Sequence, residues 1–117
     1  MRRAGILEVT DDVVRSATGL AGGVGETRQT CGAVLAGVQA IGLRYGRVDR
    51  ADSRQPAVDR AAHLVSTFRR SFGSVMCADL VRGFADMAHP ARKDYCARLV
   101  GFVADAVTGA LAAAGRP

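Results

Sequence analysis

The chain has 117 residues, 49% of them hydrophobic and 23% charged, with a mean hydropathy of +0.11. That is enough for one packed domain and too few for two ordinary ones, and it excludes both the charge-rich composition of disorder and the composition of a membrane protein. No apolar run approaches the roughly 18 residues that cross a bilayer. The opening Met1-Arg2-Arg3-Ala4-Gly5-Ile6-Leu7-Glu8 reaches an acid before a signal-like segment forms. The expectation is one domain over residues 1–117, cytoplasmic, with no membrane insertion. The net charge of +5 comes from 16 basic against 11 acidic residues, and Lys93 is the only lysine. The bases are interleaved with acids, as in Arg47, Asp49, Arg50, Asp52 and Arg54, and aromatics are scarce, so no nucleic-acid partner is expected.

Five segments carry helical periodicity and none shows the sustained two-residue alternation of a half-buried strand. The fold class read from the sequence is all-α, a single small domain of about five helices with a Gly-rich turn after the first. The first helix starts after Thr10, an N-cap followed by Asp11 and Asp12, and is expected to bury Val13, Val14 and Ala17. Gly19-Leu20-Ala21-Gly22-Gly23-Val24-Gly25 has too many glycines to continue it. A second helix runs from near Thr30 or Cys31 to about Tyr45, with Gly46 as its stop and Val34, Leu35, Val38 and Ile41 as its stripe. The polar stretch from Arg47 to Gln55 joins it to a third, where Pro56 suits the first turn and Val58, Ala61, Ala62, Val65, Phe68 and Phe72 recur toward Gly73. Ser74 reads as the N-cap of a short fourth helix burying Cys77, Leu80, Val81 and Phe84. Pro90 opens the fifth, with the stripe Cys96, Leu99, Val100, Val103, Val107 and Leu111, ending near Gly115.

The glycine-rich segment lacks the Gly-x-Gly-x-x-Gly spacing, follows no strand and has no Gly-Lys-Ser/Thr, so it is not a nucleotide cradle. Asp79, Asp86, Asp94 and Asp105 fall off the apolar stripes and read as solvated; His63 and His89 read as surface residues, which leaves no Ser-His-Asp arrangement. The three cysteines are widely spaced, form no Cys-x-x-Cys hook, and are odd in number. Each falls on the inward stripe of a different helix, so Cys31, Cys77 and Cys96 are expected to converge. Cys31 and Cys77 also fall in predicted first turns, where backbone N–H groups and the dipole favour thiolate, Cys31 most of all because Gly32 lets backbone approach its sulfur. Free cysteine is equally at home as a small core hydrophobe, and the residues alone leave both readings open.

Gly22-Gly23-Val24-Gly25, then Thr30-Cys31-Gly32-Ala33, then Gly42-Leu43-x-x-Gly46 resemble the core of the C-GCAxxG-C-C family of suspected redox proteins. Phe72-Gly73-Ser74-x-x-Cys77-x-x-Leu80-x-x-Gly83 and Cys96-x-x-Leu99-Val100 resemble its later cysteine segments, so the resemblance spans about residues 13–105. It implies a small helical protein with four characteristic cysteines, suspected of redox activity or iron-sulfur binding. Two departures stand out. The family's first cysteine, on an N-terminal helix, has no counterpart here, and the second glycine of Cys-Gly-Ala-x-x-Gly is Ala36, with Gly37 one place later.

The expected function is a redox-active protein in which Cys31, Cys77 and Cys96 line one site, as redox thiols or as ligands of an iron-sulfur cluster or other metal, with Gly23 and Gly32 allowing close backbone approach. The alternative is a non-catalytic structural or interaction subunit whose cysteines fill the core. A cluster ordinarily takes four protein ligands, so a fourth is expected from His63, His89, a second chain or a small thiol. Without the family's first helix, the Val13, Val14 and Ala17 face lacks cover that a homodimer would restore; an electron-transfer partner is the other expected contact.

Overall fold

The structure, a computed structural model, describes residues 7–84 and 88–114. Its helices are α1 (Asp11–Ser16), α2 (Gly32–Tyr45), α3 (Gln55–Phe72), α4 (Cys77–Leu80) and α5 (Pro90–Ala114), with a 3-10 turn at Thr18–Leu20. Among the described residues there is no strand, only an isolated antiparallel bridge between Thr30 and Met76. The all-α expectation holds, and the reasons are local. The Thr10 hydroxyl accepts from the Val13 N–H to cap α1, with Asp11 and Asp12 in its first turn. Pro56 sits in the first turn of α3, and Gly73 ends that helix in a left-handed conformation at φ 86°.

The long helices α2, α3 and α5 pack on one another. Val34 and Ile41 of α2, Leu64 and Phe68 of α3, and Leu99 and Val107 of α5 form the buried centre. Phe68, Phe72 and Phe102 add an aromatic cluster with centroids 4.8 to 6.0 Å apart, within the range of edge-to-face and tilted pairs. Gly37 lets α2 approach closely: a Cβ there would stand 2.6 Å from Val103 Cγ1 and 2.8 Å from Leu64 Cδ2. At the other end of α2 the Tyr45 hydroxyl donates to the Ala110 carbonyl at 2.9 Å, and the Arg60 guanidinium lies over the Tyr45 ring.

Several expectations need correction. No residue of α1 is buried, and Val14 is 49% exposed, because this helix of six residues packs mainly against the neighbouring 3-10 turn. Val58 and Ala62 are exposed, since the core side of α3 is centred on Leu64, a residue the periodicity passed over. Ser74 does not cap α4. Its hydroxyl accepts from the Met76 N–H and donates to Asp79, and Met76 takes the cap position. Ser74 and Arg82 together hold the exposed Asp79 carboxyl below its ordinary range. Asp86 and Gly115 lie outside the described residues.

Candidate functional site

The site starts in the glycine-rich loop, which turns with a left-handed backbone. Gly22, Gly23 and Gly25 have φ between 61° and 74°, and Val24, Glu26 and Arg28 share the same region, which costs a β-branched residue most. The loop is pinned by its own hydrogen bonds. The Gly25, Arg28 and Gln29 N–H groups donate to the Gly19, Gly22 and Gly23 carbonyls, and the Arg28 guanidinium donates to the Gly22 and Glu26 carbonyls. Gly23 is buried because Cys77 lies on it: a Cβ at Gly23 would stand 2.6 Å from the Cys77 Cβ. Gly32 plays a similar part at the start of α2, where a Cβ would meet the Leu20 carbonyl oxygen at 2.5 Å.

Leaving this loop, the chain forms a two-bond ladder with the segment before α4. The Cys31 N–H donates to the Val75 carbonyl at 2.7 Å and the Cys77 N–H to the Gln29 carbonyl at 2.6 Å. These bonds flank the Thr30–Met76 bridge. Because successive side chains alternate, Cys31 and Cys77 share the other side of the ladder as diagonal neighbours, about 7 Å apart.

The third cysteine arrives on α5. A cavity of about 460 Å³ between α2, α5 and the glycine loop is lined by Cys31, Cys77 and Cys96, with Gly22, Gly23 and Gly32 in its wall. Cys77 is buried while Cys31 and Cys96 are half-buried, and all three are free thiols. Burial pushes the Cys77 thiol above its ordinary range; the Arg28 and Arg92 guanidiniums oppose this, and charge on Cys31 or Cys96 adds to it. The expected thiolate at Cys77 is therefore corrected. Its helix is a single turn of four residues, and loss of water outweighs what that turn and the arginines supply. Cys31 occupies the N-cap of α2, yet its sulfur accepts no capping hydrogen bond.

Arg92 is a cavity side chain that sequence reasoning missed. Its Nη1 donates to Cys96 Sγ at 3.7 Å, and it lines the same cavity. The signal was present, because a residue four places before Cys96 on one helix lies over the same face. His63 and His89 are not brought to the cysteines. His63 lines a smaller cavity with Ile41, Arg60 and Leu64, and His89 accepts from the Ala91 N–H. Among the described residues no three Cys, His, Asp or Glu side chains stand close enough to hold one metal ion.

The profile of the C-GCAxxG-C-C family, described as "putative redox-active protein", matches residues 4–114. The chain belongs to this family. No curated protein and no solved structure matches it. In this member of the C-GCAxxG-C-C family, the Cys-Gly-Ala segment forms the N-cap and first turn of α2. The displaced glycine is accommodated because Gly37, not position 36, faces Leu64 and Val103. The family description carries redox activity and names no reaction. Among the described residues no helix is long and apolar enough to cross a membrane.

Proposed function

We propose that the protein is a thiol redox protein in which Cys31, Cys77 and Cys96 act as one group. The observation that supports this most directly is the shared cavity, which gathers three cysteines from the N-cap of α2, the single turn of α4 and the second turn of α5. In the reaction, one cavity thiolate attacks an acceptor disulfide to form a mixed disulfide and release one acceptor thiol, and a second cavity thiol then attacks the protein sulfur of that mixed disulfide. A sulfur–sulfur bond forms in the protein, the acceptor's bond breaks, and its two sulfurs leave as thiols with the two protons. The half-buried Cys31 and Cys96 are the entry points, and Cys77 is the inner reserve. Gly23 and Gly32 serve by letting backbone and sulfur approach.

Among the described residues the donors do not converge on one ion, which supports thiol chemistry over metal ligation. A core-filling role fits the buried Cys77 but not the half-buried Cys31 and Cys96. The partners in this reading are an electron-transfer protein or small disulfide and, across the uncovered α1, a second copy of the chain. The cytoplasm suits it, since thiols are kept reduced there.

Anaerobic purification with thiol counting and iron, sulfide and zinc analysis tests the reading. Three titratable thiols without stoichiometric metal are expected. Stoichiometric metal that masks the thiols contradicts it.

A further inference from the structure

The cavity has two unlike ends. Helices α2 and α5 run in the same direction, since Gly37 faces Val103 and, further along both, the Tyr45 hydroxyl donates to the Ala110 carbonyl. Cys31 at the start of α2 and Cys96 in the second turn of α5 therefore stand at one end, with Cys77 and the Arg92 guanidinium that donates to Cys96. From there the lining continues to Ala40 of α2 and Val107 of α5, about 14 Å and about 17 Å of helix at ~1.5 Å per residue. No described lining residue along that stretch carries a polar side chain. The small Ala33, Ala40 and Ala104 give the cavity its width, and the exposed Ala36 and Val100 mark its mouth. Its volume of about 460 Å³ lies in the range of roughly 300–1,000 Å³ typical of small-molecule sites.

We propose that the acceptor in the thiol reaction is a small, uncharged disulfide carried on an apolar chain, its sulfurs at the cysteine end and its chain between α2 and α5. This rests on the thiol redox reading and names its substrate class. The cysteines fix which way round the molecule lies. An aliphatic chain gains by burial along the far walls, whereas a charged chain end would lose its water where no side chain offers a partner. With a cyclic disulfide the step balances inside the cavity. A protein thiolate attacks one ring sulfur and forms a mixed disulfide, while the other ring sulfur leaves as a tethered thiolate and takes a proton. A second cavity thiol then attacks the protein sulfur of that mixed disulfide. The protein gains a sulfur–sulfur bond and loses two electrons, and the ligand leaves as a dithiol with both protons.

Lipoamide and lipoate are matched probes, with the same cyclic disulfide and aliphatic chain but an amide head in one and a carboxylate in the other. Each has about 12 non-hydrogen atoms, for which a cavity about three times the ~150 Å³ one that takes up benzene has room. The reduced full chain is mixed anaerobically with an excess of each at neutral pH, and the loss of free thiols is timed. Lipoamide is expected to oxidise the chain at least about tenfold faster than lipoate, because only lipoate must desolvate a charge. Ala36→Leu narrows the mouth at an exposed helical position that leucine suits. It is expected to slow lipoamide at least about fivefold more than it slows hydroxyethyl disulfide, the worth of little more than one buried methylene. Lipoate as fast as lipoamide, or equal slowing of lipoamide and hydroxyethyl disulfide in Ala36→Leu, would overturn the proposal, while oxidation by hydroxyethyl disulfide would leave the redox reading standing. A chain that none of the three disulfides oxidises defeats the redox reading and this proposal with it.

Discussion

Gly23 lies against Cys77 so closely that any side chain at position 23 would displace the cysteine: the missing Cβ would stand 2.6 Å from the Cys77 Cβ and 2.9 Å from the Arg28 Cα. One neighbour is backbone and cannot rotate away. Position 23 also has φ 74°, where an L side chain is strained by about 1–2 kcal/mol. Gly23→Ala is therefore expected to lose about 3 kcal/mol, strain and overpacking together. Gly25→Ala shares the backbone sign but meets nothing within 4 Å, so it is expected to lose only about 1 kcal/mol. Urea unfolding of the two variants checks this, and equal losses would show that contact with Cys77 is not the cause.

Gly37 makes a parallel case in the core. Its absent Cβ would stand 2.6 Å from Val103 Cγ1 and 2.8 Å from Leu64 Cδ2, both buried side chains that would have to move to admit it. Gly37→Ala is expected to cost about 1–3 kcal/mol from overpacking, offset in part by the better helix propensity of alanine. Ala36→Gly, at an exposed position of the same helix, is expected to cost only the propensity difference of about 1 kcal/mol. Thermal denaturation of the pair distinguishes packing from propensity.

These glycines mark where the sequence was legible and where it was not. Helix starts and stops were readable because their signals are local: Thr10, Pro56, Gly46 and Gly73 each act within one turn of chain. The inward placement of Cys31, Cys77 and Cys96, which line one cavity, was readable as apolar stripes. The Thr30–Met76 bridge that aligns Cys31 with Cys77 was not, since one isolated pair leaves no alternating pattern. Nor was the exposure of Val14 and Val100, because periodicity shows which side of a helix is apolar and not whether anything packs there. Val100 lies at the edge of the cavity, where its apolar side meets space instead of a neighbouring helix.

Burial holds the Cys77 thiol protonated above the ordinary thiol range. In the unfolded chain that proton leaves first, near the unperturbed value of about 8.5. The resulting stabilisation is complete below that pH and is lost as pH rises through the raised value in the folded state. Stability is expected to fall above about pH 8.5, and Cys77→Ala is expected to flatten the fall. Urea unfolding across an alkaline pH series in both proteins checks this, and parallel pH curves would contradict it. Cys77 is also expected to be the slowest of the three cysteines to alkylate near pH 8.

The shared cavity makes its clearest demand under oxidation. Equilibrating the protein in glutathione buffers of graded potential, then mapping each cysteine by mass spectrometry without reduction, tests the central claim directly. The account predicts a reversible two-electron step within single chains that joins two of Cys31, Cys77 and Cys96 and leaves the third free. Oxidation that yields only glutathione adducts or links between chains, with no internal bond at any potential, would contradict it.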